Sequence, residues 1–116
     1  MDQLKEFMLL FRFQPSQEAP SQEQLNQMQK QWGDFIGGVA MQGKLVSTHQ
    51  LGFSGKQISA DLATTEGIHL SDGKTMSGNM VLKATSLDEA VIMAKKCPIL
   101  FMGGSVEVRD TIPMNQ

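Results

Sequence analysis

Residues 5–13 alternate in character. Phe7, Leu9, Phe11 and Phe13 fall on one side, and Glu6, Met8, Leu10 and Arg12 on the other. A period of two with this aromatic content predicts a β-strand. Both sides carry apolar groups, so the strand belongs in the middle of a sheet, with each face at least partly covered. A polar linker follows over residues 15–20. Ser21 then opens a helix as N-cap, and Gln24 three residues on completes a capping-box pattern. Leu25, Met28, Trp32, Phe35, Ile36 and Val39 recur at helical spacing and predict one buried stripe. Gly37-Gly38 interrupts that helix late, as a bend or the point where a neighbour comes close, and Gly43 stops it. Residues 44–51 predict a second strand, with Leu45, Ser47, His49 and Leu51 on one face and Val46, Thr48 and Gln50 on the other. Residues 53–76 predict short strands and turns, with Asp72-Gly73 as a tight-hairpin signal. Residues 78–85 predict a third main strand, in which Met80, Leu82 and Ala84 oppose Asn79, Val81 and Lys83. Ser86 and Glu89 form a second capping-box pattern. The helix after them carries an apolar stripe of Leu87, Ala90, Val91, Ala94 and Cys97, and Pro98 ends it. Gly103-Gly104 turns the chain into a last strand, residues 105–110, where Val106 and Val108 oppose Ser105, Glu107 and Arg109.

Strand, helix, strand, small hairpin, strand, helix, strand is the order of an α+β split βαβ, or ferredoxin-like, domain. Two helices cover only one face of the resulting four-stranded antiparallel sheet. The apolar groups on both sides of the first strand then predict burial of the other face as well. A homodimer packing sheet to sheet is the economical way to provide it. The chain of 116 residues is one domain, 1–116. Its formal charge of −2 argues against nucleic acid as a partner, because phosphate contacts need clustered Lys and Arg. A single cysteine, Cys97, excludes an internal disulfide and a cysteine-based zinc site. It is expected as a buried structural thiol. No apolar run is long enough to span a membrane, no leader segment is visible, and the expected location is the cytoplasm.

Candidate chemistry follows from side-chain direction. If the aromatic side of the first strand faces the helices, then Glu6 and Arg12 face away. Glu107 and Arg109 join them from the last strand, and Ser47 and His49 from the second. A carboxylate, a guanidinium and an imidazole on one concave face suit acid–base work on a small anionic or oxygen-rich molecule. The plainer account makes Glu107 and Arg109 a solvated charged pair on an edge strand. It makes His49 a hydrogen-bonded strand residue and His69 a surface residue. His69 lies close to Asp72, the pairing of a base with its orienting acid. Asp34 sits in the first helix, either lining a cleft or on the solvated flank. The two histidines lack metal-ligand spacing. Gly52 to Gln57 lacks the spacing and hydroxyl of a phosphate loop. No cofactor is expected; neither histidine announces itself as a haem ligand.

The motifs carry a resemblance. Lys5-Glu6-Phe7-Met8-Leu9-Leu10-Phe11 resembles the K-Y-M-L-L opening strand of YCII-related proteins of the DGPF subgroup. Gly43-Lys44-Leu45-Val46 resembles the start of their second strand, and Ser71-Asp72-Gly73 the beginning of their T-D-G-P-F signature. Leu87-Asp88-Glu89-Ala90 with Pro98 resembles their second helix. The run from Gly103 to Arg109 matches their closing G-G-S-V-E-V-R almost letter for letter. The resemblance implies a dimeric α+β barrel. In some members it implies a His–Asp dyad in a cleft, with one branch similar to dehydrochlorinases; others are labelled as transcription-associated. Here Lys74-Thr75 replaces Pro-Phe, and the first helix holds Gln27, Met28 and Gln29 where the dyad histidine would stand. Asp34 falls near the dyad acid. The dyad therefore does not carry over, and catalysis would fall to His49 or His69. The expectation is a small-molecule-binding protein or acid–base enzyme, with His49 and Asp72 as catalytic candidates. Glu107, Arg109, Asp34 and His69 are the ligand-binding candidates. The alternative is a non-catalytic dimeric interaction module.

Overall fold

A computed structural model describes residues 3–15 and 21–114. The alternating segment forms β1 (Lys5–Phe13), and the first helical stripe forms α1 (Gln22–Met41). They are followed by β2 (Leu45–Gln50), a small hairpin of β3 (Lys56–Ile58) and β4 (Thr64–Glu66), and the long strand β5 (Thr75–Ala84). The chain then forms α2 (Leu87–Ala94), a 3₁₀ turn over Pro98–Met102, and β6 (Ser105–Asp110). Of the expected linker, residues 16–20 lie outside the described residues. The main sheet has the order β2-β5-β1-β6, with every neighbouring pair antiparallel. This is the ferredoxin-like α+β arrangement, with β3 and β4 as a separate two-stranded insert.

The helices lie on one face. Beneath them the aromatic side of β1 (Phe7, Leu9, Phe11) meets Met80, Leu82 and Ala84 of β5. Phe35 and Val39 of α1 and Ala90, Met93 and Ala94 of α2 close over it, with Cys97 and Ile99 at the end. Leu9, Met80, Leu82 and Cys97 are fully enclosed; burial of one such aliphatic side chain contributes roughly 1.5–3 kcal/mol. Trp32 packs edge-on between Phe11 and Phe35, with ring centroids 5.4 and 6.0 Å away. The N-terminal end of the α1 stripe overhangs the sheet, leaving Leu25 exposed. In α2, Met93 enters the core, whereas the expected Leu87 stays half outside. Cys97 is held in the core by packing.

Both helix starts use their serine caps. Ser21 accepts from the Gln24 N–H, and the Gln24 side chain accepts from the Ser21 N–H, a complete capping box. Ser86 accepts from the Glu89 N–H, but the Glu89 carboxylate turns instead to the Thr85 hydroxyl and the Lys44 ammonium. The second box is thus half formed, because a cation from the far end of the first crossover outbids one backbone N–H. Asp72 and Gly73 both take positive φ, 53° and 77°, and Ser71 and Lys74 exchange both backbone hydrogen bonds across them. That is the tight turn expected from the Asp-Gly pair.

Two register shifts change the expected side-chain directions. In β2, Leu45 pairs with Leu82 and Ser47 with Val81, so Val46 is an extra residue. A bulge reverses the parity of the strand. Leu45 therefore joins the core-facing side with Thr48 and Gln50, while Ser47 and His49 face away from the helices. The four residues expected on one face are split. In β5, Ser77 is the extra residue between the pairs Phe11–Gly78 and Arg12–Met76. Arg12 stays on the side facing away from the helices.

Glycine is demanded by close approach at one position in β5 and one just before β6. A Cβ on Gly104 would stand 2.6 Å from the Arg12 carbonyl oxygen and 2.6 Å from Ile99 Cγ1, and one on Gly78 would stand 2.6 Å from the His49 carbonyl oxygen. Gly37 and Gly38, by contrast, sit within continuous helix with nothing near the missing Cβ, so neither a bend nor a neighbour requires them. Gly104→Ala is expected to lower stability by about 1–3 kcal/mol through forced backbone movement. Gly37→Ala is expected to raise it by about 0.5–1 kcal/mol. Urea unfolding of the two variants measures the contrast, and equal midpoints would contradict it.

Candidate functional site

The side of the sheet away from the helices is laid out by the pairing. One row across it runs His49, Asn79, Leu10, Glu107, and the next runs Ser47, Val81, Met8, Arg109. Glu6 pairs with Lys83 beyond one end, and Arg12 stands beside Met76 and Ser105 at the other. The centre of this open face is therefore an apolar strip of half-buried Met8, Leu10 and Val81, and its borders are polar. His49 Nδ1 lies 3.4 Å from Asn79 Oδ1. Arg12 Nη1 donates to Glu107 Oε1 at 3.1 Å.

Three of the predicted residues, His49, Glu107 and Arg109, share this face, but not one cluster. His49 belongs to one edge strand and Glu107 and Arg109 to the other. Three strand spacings, roughly 14 Å, separate the edges. A proton cannot pass directly between His49 and Glu107 within one subunit. Asp34 is exposed on α1, away from the open face.

The other two predicted residues meet elsewhere. His69 and Asp72 both line an open cleft of about 790 Å³ between the β3–β4 insert and the Arg12 end of the sheet. Arg12 lines the same cleft and so links it to the open face. Lys56 and Lys74 add two more cations, and Leu51, Ile68 and Met76 supply an apolar wall. Lys56 is paired with Glu66 at 3.2 Å on the surface, whereas Lys74 has no carboxylate within ion-pair distance among the described residues. The tight turn explains the grouping: it places Asp72 and Lys74 two residues apart at one rim, with His69 just before them. Lys56 and Lys74 escape sequence reasoning because nothing local distinguishes them from solvated lysines; the fold of the insert brings them to Arg12. The segment from Gly52 to Gln57, which lacks the phosphate-loop pattern, nevertheless contributes Gly52, Ser54, Lys56 and Gln57 to the lining.

Elsewhere the perturbed groups are structural. The Glu89 carboxyl is held below its usual range, first by the hydrogen bond from Lys44 at 2.8 Å and then by that from Thr85. Asp61 is lowered by the Ser59 hydroxyl and the Ala63 N–H, which brace the turn that holds Leu62 at φ 73°. Burial pushes the Cys97 thiol up to about 11. No group of three or more His, Cys, Asp and Glu side chains placed to hold a metal ion occurs among the described residues. No helix among them is long and apolar enough to cross a membrane.

Comparison with models of known protein families yields no match, and no curated protein is significantly similar to the chain.

Two expectations follow. A thiol reagent should leave Cys97 unmodified in folded protein and react once urea unfolds it, because the reactive thiolate is suppressed at neutral pH. Glu89 has a lower pKa folded than unfolded, so its contribution to stability is present above its ordinary value of 4.5 and is lost as the pH falls through the folded value. The urea midpoint should therefore drop below about pH 4.5, and Glu89→Gln should flatten that part of the curve. An unchanged pH dependence in the variant would remove Glu89 as its source.

Proposed function

We propose that this protein is a YCII-related, dimeric α+β barrel protein that binds a small molecule in the cleft beside the open face of its sheet. The observation that carries the reading is the one-sided helix layer over a sheet whose other face has an apolar centre, Met8, Leu10 and Val81. The molecule is only 21 Å thick along its shortest axis, about the depth of one sheet with one helix layer. A second copy, sheet against sheet, supplies the missing cover. The polar borders, with Glu6 and Lys83 at one end and Arg12, Glu107 and Arg109 towards the other, fix its register. Arg12 stands where the covered face and the cleft meet, so dimer formation would deepen the cleft.

Within that cleft His69 and Asp72 are the pair suited to proton transfer, and they take the role that the first-helix histidine has in the resembling family. His49, Glu107 and Arg109 line the barrel interior in this reading. The separation of His49 from Glu107 and Arg109 favours a second reading, in which the open face only joins subunits and no proton-transfer cluster forms on it.

Light scattering should give twice the subunit mass at micromolar concentration, and Leu10→Glu should give a single subunit that remains folded by circular dichroism. A charge on the apolar strip would have no place in a dry interface. A wild-type monomer, or a Leu10→Glu dimer, would refute the sheet-to-sheet assembly.

A further inference from the structure

We infer that the cleft takes a small organic anion, its carboxylate or phosphate held between Arg12 and Lys74, with Glu107 occupying Arg12 while the cleft is empty. This rests on the reading of the cleft as a small-molecule site and names the ligand class.

The volume of about 790 Å³ lies within the usual range for small-ligand sites, roughly 300–1,000 Å³. Its lining carries three cations, Arg12, Lys56 and Lys74, against one carboxylate, Asp72, while Glu107 pairs with Arg12 from outside it. Lys56 is already matched by Glu66 outside. Of the three cations in the lining, Arg12 and Lys74 are half-buried and Lys56 is exposed, so water satisfies the first two less well. The backbone of Lys74 is pinned by two hydrogen bonds to Ser71, of 2.8 and 3.0 Å, across the Asp72-Gly73 turn. That holds the base of its side chain at the rim before any ligand arrives.

Arg12 offers five N–H donors, and Glu107 takes one of them through a single contact of 3.1 Å. An incoming carboxylate or phosphate that engages the guanidinium with two oxygens makes the stronger pairing. The exchange is charge for charge: the ligand's oxyanion replaces the Glu107 carboxylate, which is half exposed and returns to water. The apolar wall of Leu51, Ile68 and Met76 selects an organic body over a bare inorganic anion.

The test is calorimetric titration of the full chain at low salt with benzoate, with neutral benzamide and with inorganic phosphate. It uses wild type, Lys74→Gln, Glu107→Gln and Lys30→Gln, the last removing a charge from the exposed surface of α1. Each sample is checked for folding by circular dichroism and for mass by light scattering. Benzoate should bind one per subunit, more tightly than either benzamide or phosphate. Lys74→Gln should weaken it about tenfold, Glu107→Gln should tighten it about threefold by removing the competitor, and Lys30→Gln should leave it unchanged. Benzamide binding as well as or better than benzoate would overturn the anion and leave the small-molecule cleft standing. Absence of binding by all three probes would overturn both. Equal losses in Lys74→Gln and Lys30→Gln, or no gain in Glu107→Gln, would overturn the assigned contacts. The mass reports separately on assembly: a monomer that binds benzoate would refute the dimer and keep this site.

Discussion

The antiparallel pairing of β1 with β5 decides which side chains lie on each face of the sheet. These are the two central strands, and on their helix-facing side Leu9, Met80 and Leu82 are wholly enclosed. A slip of one residue would turn that side outward and bring Met8, Leu10 and Val81 into the core, at the cost of the buried surface of both strands. The register is therefore strongly held. Through it β2 and β6 are held too, because each pairs with one of the two.

What departs from simple alternation within that frame has consequences for function. The bulge at Val46 returns Leu45 to the core and sends Ser47 and His49 outward. The one at Ser77 lets the end of β5 keep Thr75 buried while Arg12 remains on the open face. Gly78 and Gly104 permit neighbouring backbone to come within a distance that a Cβ would prevent. The Gly104 contact is with the carbonyl of Arg12 itself, so the glycine before the last strand helps position the cleft's arginine. Closely spaced motif residues in the closing strand thus have a packing explanation, independent of any chemistry at Glu107 or Arg109.

The open face and the cleft differ in what they offer. The face has an apolar centre and charged borders, the composition of a surface that excludes water when covered. The cleft has three cations against one carboxylate in its lining, an apolar wall, and both His69 and Asp72 along it. Arg12 belongs to both and is paired with Glu107 across the β1–β6 edge.

Much of the fold was legible in the chain because its causes are local. The period of two in Lys5–Phe13, the serine caps and the Asp72-Gly73 turn each act through near neighbours and formed where their patterns lie, whereas the second helix ends at Ala94 and Pro98 opens the 3₁₀ turn instead of ending that helix. The half-formed cap at Ser86 was not legible, since Lys44 reaches Glu89 only after it is bonded to Lys83 at the end of β5, beside the start of α2. The same distinction separates the candidate residues. Alternation in the last strand put Glu107 and Arg109 on the face away from the helices, whereas His49 reaches it with Leu45 in the core only through the bulge at Val46. Strand order placed them at opposite edges, and strand order is set by long-range pairing that no local pattern encodes. His69 and Asp72 were close in sequence from the start, but the cleft that they line with Arg12, Lys56 and Lys74 joins β1, the insert and the turn before β5, segments far apart in the chain. The sequence by itself determined the main elements, their order and the apolar side of β1, β5 and β6, because short-range sterics and periodicity govern these. Tertiary structure alone decided which charges share a cavity, because bulges, strand order and the placing of the insert depend on packing between distant segments.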